Sequence, residues 1–128
     1  MRTRILVLDD QEYLREIIAT ILAEAGYPAV AVDTPEHAMQ LLEELRPDLL
    51  VLDMSLPGID GLQFLDNLRA QPLWEALPVL IVSGDPTKLA RAEGRSNVVP
   101  LSKPFDASVL VAEVARFLAP ITPLSQPA

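Results

Sequence analysis

The sequence predicts one α/β domain built on an open parallel sheet, and three observations lead there. Short apolar runs recur five times, at Ile5–Leu8, Ala29–Val32, 49–52, 79–82 and 98–101. Runs of that length are too short for helices and suit strands buried on both faces, as in parallel sheets. Between most of them the apolar period shifts to three and four, the mark of a helix with one buried face. Finally, every proline except Pro100 falls between these segments or at the start of one. Strand and helix thus alternate five times, which implies parallel strands joined by right-handed crossovers.

Each element has its own local reason. After the first strand, Leu14, Ile17, Ile18, Ile21, Leu22 and Ala25 form one helix face, and Gly26 stops it. After the second, Thr34 is the expected N-cap, with Pro35 in the first turn, of a helix burying Ala38, Leu41, Leu42 and Leu45 before Pro47 ends it. The third strand delivers Asp53 into a loop closed by Pro57, Gly58 and Gly61. Gly61–Arg69 is the next helix, burying Leu62, Phe64 or Leu65, and Leu68. Trp74, in a loop with Pro72 and Pro78, is expected to plug the core edge.

The fourth strand ends in Ser83-Gly84-Asp85. Residues 87–94 make a thin helix, since only Leu89, Ala90 and Ala92 are apolar. Pro100 interrupts the fifth strand; proline cannot donate to a ladder, so that strand is an edge or bulged. Asp106 or Ser108 caps a last helix through Leu118, burying Val109 or Leu110, Val114, Phe117 and Leu118. Residues 120–128 carry three prolines and read as a disordered tail or the start of a linker, so the domain is expected over 1–119.

Composition narrows the function classes. Of 128 residues, 50% are hydrophobic and only 5% aromatic, so the core is aliphatic. A net charge of -8 with no basic cluster argues against direct contact with nucleic acid. The absence of cysteine excludes disulfides and thiol chemistry. With neither a signal peptide nor a membrane span in view, a cytoplasmic protein with no membrane partner is expected.

In open parallel sheets, chemistry collects beyond the carboxyl ends of the strands. The residues just past the strands bring Asp9-Asp10, Asp53, Ser83 and Lys103 to one end. Carboxylate pairs about 4 Å apart repel by roughly 4 kcal/mol at an effective dielectric near 20. A hard divalent cation relieves that cost, and carboxylate and carbonyl oxygens describe a Mg²⁺ site. The Ser83 hydroxyl, the Gly84 backbone N–H and the Lys103 ammonium suit phosphoryl oxygens, leaving Asp53 as an in-line nucleophile.

Asp9-Asp10, Asp53 followed by Pro57-Gly58 and Gly61, Ser83, and Lys103-Pro104-Phe105 together resemble the receiver domains of two-component response regulators, over residues 3–118. The resemblance implies a flavodoxin-like (βα)5 fold of strand order 2-1-3-4-5 with helices on both faces. It implies that Asp53 accepts a phosphoryl group from a phosphohistidine on a histidine kinase or histidine phosphotransfer protein. Asp10 would bind Mg²⁺ directly and Asp9 through water, alongside Asp53 and the Ser55 backbone carbonyl. Ser83 would be the switch hydroxyl and Lys103 its counter-charge. Ser55 and Asp85 match two positions beside the phosphoryl group that tune its hydrolysis. The Lys103–Pro104 bond is expected to be cis.

The chain departs from the family pattern at Pro100, where an aromatic usually reports phosphorylation by its rotamer. It also runs slightly short between Ser83 and Lys103, without the usual Gly-Ala pair. The signal is therefore expected to leave through residues 83–94, which change partner binding. The reading is of a stand-alone signalling phosphoacceptor rather than an enzyme on other substrates, a monomer or weak homodimer with an unidentified downstream protein target. Two alternatives compete: a degenerate receiver serving as a constitutive docking module, and a Mg²⁺-dependent small-molecule phosphotransferase or phosphatase. The latter usually needs a second acid close after Asp53, where Met54 and Ser55 stand. His37, the sole histidine, reads as a solvated bystander, so the phosphodonor histidine must come from a partner.

Overall fold

The computed structural model describes residues 3–56 and 58–119. Among the described residues, seven strands and five α-helices occur in this chain order: β1 (Ile5–Leu8), α1 (Glu12–Glu24), β2 (Ala29–Val32), α2 (Pro35–Leu45), β3 (Leu49–Asp53), β4 (Ser55–Leu56), β5 (Ile59–Asp60), α3 (Gly61–Arg69), β6 (Val79–Ser83), α4 (Pro86–Ala92), β7 (Val98–Ser102) and α5 (Ala107–Ala115). The five long strands form one parallel sheet in the order β2-β1-β3-β6-β7, which is 2-1-3-4-5 when only those strands are counted.

The unbroken apolar runs have a direct physical cause: the central strands are buried on both sides. Leu6 and Leu8 of β1, Leu50 and Leu52 of β3, and Val79 and Ile81 of β6 pack with Leu42 of α2 and Leu65 of α3. The alternating set Ile5 and Val7, Leu49 and Val51, Leu80 and Val82 packs on the opposite face with Ile18 and Leu22 of α1 and Leu110 and Val114 of α5. Each side chain flips face at each step along the strand, so both sets must be apolar.

The caps bear out the helix starts closely. Thr34 Oγ1 accepts the His37 N–H at 3.2 Å, and α2 ends at Arg46 in the left-handed region (φ 47°), just before buried Pro47. Trp74 is buried in a short 3-10 turn, Pro72–Trp74, against the α2–α3 side of the core.

Three expectations need correction. Pro100 does not interrupt its strand: β7 pairs with β6 in continuous register from Val79↔Val98 to Ser83↔Ser102. The sheet ends at β7, so the missing donor of Pro100 costs no ladder bond to a further strand. The loop after Asp53 contains a small antiparallel hairpin, β4–β5, pairing Ser55 with Asp60 and Leu56 with Ile59. Strands of two residues carry no readable period. The last helix ends at Ala115 rather than running through Leu118; of the two candidates for its buried face Leu110 is the buried one and Val109 is exposed, and Val114 is buried as expected. The tail expected over 120–128 lies outside the described residues. No described helix is long and apolar enough to cross a membrane.

Candidate functional site

Topology brings the chemistry-bearing residues together. β1 and β3 are neighbours in register, Leu8 beside Leu52, so Asp9 and Asp53 leave the same end of the sheet side by side. Asp53 is aligned with Val82, which sets Ser83 one step further along β6. The Lys103 N–H donates to the Ser83 carbonyl at 2.9 Å, tying the residue after β7 to the end of β6. One carboxylate oxygen each from Asp9, Asp10 and Asp53 lies within 4.8 Å of the others.

The three acids differ in surroundings. Asp9 and Asp53 are buried, 1% and 3% exposed, whereas Asp10 faces solvent. Asp9 Oδ1 accepts the Gln11 N–H at 2.9 Å, which begins the turn into α1. Burial pushes the Asp9 carboxyl above its ordinary value near 3.8, and the neighbouring charges of Asp53 and Asp10 push the same way. The Gln11 N–H and Lys103 oppose that rise without cancelling it. Lys103 Nζ donates to Asp53 Oδ1 at 3.1 Å and stands 4.0 Å from Asp9 Oδ2. The Lys103–Pro104 bond is cis.

A set of carboxylate oxygens that close, two of them buried and sharing one ammonium, is suited to a hard cation with oxygen ligands. Mg²⁺ fits the donor chemistry. Thiol-seeking metals have no matching donor here, since the cluster offers only oxygen.

Other expected site residues fall around this cluster with defined partners. Ser83 is buried, and its Oγ accepts the Asp85 N–H at 3.0 Å, leaving its own proton available to a further acceptor. Asp85, exposed, caps α4 by accepting the Thr87 N–H at 2.9 Å. At Gly84 an added Cβ would stand 3.8 Å from Lys103 Cβ, an ordinary contact, so this position is open rather than sterically compelled.

Gly61 is different. A Cβ there would lie 2.8 Å from Met54 Cα and 3.0 Å from the Asp53 carbonyl oxygen, so only glycine lets α3 begin so close to the acid. Gly58, at φ 78°, takes the left-handed conformation that the hairpin turn requires.

Two arrangements were not foreseen. Ser55, exposed on β4, accepts a hydrogen bond from Lys88 Nζ of α4 at 3.0 Å. Arg69, at the end of α3, donates to the carbonyls of Trp74, Leu77 and Ser96, joining α3 to the segments before β6 and β7. A lone basic residue in a helical pattern gives no signal of a partner 33 residues away.

The fold and the acid cluster with its lysine define a receiver domain, and comparison with known proteins agrees. The chain belongs to the response regulator receiver domain family, whose model matches residues 5–115. It is 30% identical over 127 residues to the phosphate regulon transcriptional regulatory protein PhoB of Escherichia coli K12, covering 98% of this chain and 56% of that protein. It is 32% identical over 116 residues to the DNA-binding response regulator MtrA of Mycobacterium leprae, covering 89% of this chain and 50% of the other. The chain thus spans about half the length of these curated relatives.

Among solved structures, a response-regulator candidate from Chloroflexus aurantiacus J-10-fl superimposes with a TM-score of 0.82 at 32% identity, covering 91% of this chain and 98% of that one. The chemotaxis protein CheY4 of Vibrio cholerae, at 23% identity, shares the fold with a TM-score of 0.82 over 92% of this chain and 100% of its own.

Proposed function

We propose that this receiver is a signalling phosphoacceptor in which Asp53 takes a phosphoryl group from a phosphohistidine on a histidine kinase or histidine phosphotransfer protein. One observation carries the reading: a buried carboxylate at the end of β3 is held by Lys103 Nζ at 3.1 Å and grouped with two further acids. A carboxylate oxygen of Asp53 attacks phosphorus as the P–N bond of the donor breaks. The electron pair leaves with the imidazole, which takes a proton from water, and Asp53 becomes an acyl phosphate.

Asp9, Asp10 and Asp53, with the Ser55 backbone carbonyl, would hold Mg²⁺, which supplies charge neutralisation at the phosphoryl oxygens. Lys103 exchanges its bond to Asp53 for one to the new phosphoryl group, and the free proton of Ser83 donates to the same group. Gly84 offers its backbone N–H nearby. Ser55 and Asp85 border the group and govern access of water to it. Because Pro100 has no rotamer to flip, the change in charge is read out through residues 83–94, altering affinity for a downstream protein.

Incubation with acetyl phosphate and Mg²⁺ followed by intact mass tests this. The expected result is a gain of one phosphoryl group in wild type and none in Asp53→Asn. A wild-type protein that stays unlabelled supports instead the constitutive docking module.

A further inference from the structure

The row of cations on α4 and beyond is spaced to meet α3 and the hairpin. Lys88, Arg91 and Arg95 recur at three and four, and they contact Ser55, Asp60 and Asp66 in turn. Arg91 and Arg95 face carboxylates. Lys88 instead donates to a neutral hydroxyl, and it lines a groove that Asp10 of the acid cluster also lines. The groove is open, about 430 Å³, and lined by Asp10, Ser55, Asp60 and Lys88 over an apolar floor of Met54, Leu56 and Ile59. Asp60 is already engaged, with Oδ1 on the Leu62 N–H and Oδ2 on Arg91. The groove therefore joins one acid of the cluster, the residue two past Asp53, and a cation held there by a hydroxyl rather than a carboxylate.

Resting on the phosphoacceptor reading above, we propose that Lys88 is a positioning residue for phosphodonors: its ammonium leaves Ser55 to hold an oxygen of the incoming phosphate while Asp53 attacks. Lys103 is bound to Asp53 itself and to the rear of the cluster, so it meets the phosphoryl group from within. Lys88 meets the donor from the open side, where no other described residue lining the groove is cationic. Giving up one exposed bond to a neutral hydroxyl costs little, and phosphate offers the ammonium an opposite charge that the hydroxyl lacks. With acetyl phosphate the transfer balances simply. The Asp53 oxygen bonds to phosphorus, the bond from phosphorus to the acetyl oxygen breaks, and acetate leaves with the electron pair.

The test measures the rate of single-phosphoryl labelling by acetyl phosphate in wild type, Lys88→Met and Lys88→Arg, at low and high salt. Mg²⁺ affinity is measured separately by calorimetry. Lys88→Met should label at least five-fold more slowly at low salt, with a weaker salt dependence, while Lys88→Arg keeps most of the wild-type rate. Mg²⁺ should bind Lys88→Met no more weakly than wild type, since a nearby like charge has been removed. Unchanged labelling in Lys88→Met would overturn the inference. So would slow labelling accompanied by weaker Mg²⁺ binding, or an equal loss in Lys88→Arg, because either would mark a structural role. A wild type that Asp53→Asn shows to be unlabelled at Asp53 would overturn the phosphoacceptor reading and this inference with it.

Discussion

Helices α3 and α4 come after the two strands at the centre of the site, yet they are held in opposite ways. α3 buries Gly61, Leu62, Phe64, Leu65 and Leu68 in nine residues, whereas α4 buries only Ala92 in seven. The scant apolar contact of α4 is offset by polar contact: Lys88 to Ser55, Arg91 to Asp60, and Arg95 just beyond the helix to Asp66. Apolar burial does not respond to a change of charge at Asp53; exposed ion pairs and hydroxyl bonds do. The fold thus sets a fixed helix and a loosely held one on the same face of the sheet, and under the proposed phosphotransfer the loosely held one is the natural reader of the charge at Asp53.

The largest test of this contrast is truncation. Leu65→Ala, at a site 1% exposed, should cost about 2–5 kcal/mol in urea unfolding. Leu89→Ala, only partly buried, should cost about 1 kcal/mol or less. Equal losses would show α4 to be as firmly packed as α3.

Next comes the acid cluster. Mg²⁺ at ten times its dissociation constant should stabilise wild type by about 1.4 kcal/mol, read as a higher melting temperature. Without metal, Asp9→Asn should raise stability by about 1–2 kcal/mol, more than Asp10→Asn, because Asp9 is the buried acid of the two. The sign with pH comes from the raised Asp9 pKa. The folded protein holds that proton more tightly than the unfolded chain, so this group's contribution is greatest below about 3.8 and is lost as pH rises through the folded value. The advantage of Asp9→Asn should therefore be full at neutral pH and shrink on acidification toward 3.8; an advantage constant with pH would contradict it.

The smallest effects belong to the exposed pairs. Arg91→Ala or Arg95→Ala should each cost under about 1 kcal/mol, less still in high salt. Melting curves that show a larger loss would mean that these pairs do more than tether α4.

The same contrast explains how much of the molecule is readable in its sequence. Strands buried on both faces announce themselves as aliphatic runs, and α3 shows a full apolar face. Hence the main-sheet strands and α1 to α3 fall within a residue or so of their expected ends. The residues converging on the site, Asp9, Asp10, Asp53, Ser83 and Lys103, are set by where those strands stop. The strand order came only with the family resemblance, because local periodicity is silent on which strands are neighbours. The β4–β5 hairpin, the Lys88–Ser55 bond and the Arg69 contacts rest on very short strands or on side chains that meet across long sequence separations, with no repeating pattern to give them away. Pro100 misled only about interruption: β7 is the edge strand that a proline implies, and on an edge the ring need break no pairing.

Hydrogen exchange with and without beryllofluoride and Mg²⁺ tests the central claim most directly, since the contrast between the two helices is read in one experiment. Protection over residues 85–97 should rise on adding the phosphoryl mimic, because new contacts at Asp53 order a segment that few apolar side chains anchor. Protection across Gly61–Arg69 should stay the same. Equal protection of residues 85–97 in both states, or a change shared equally by α3, would contradict the account.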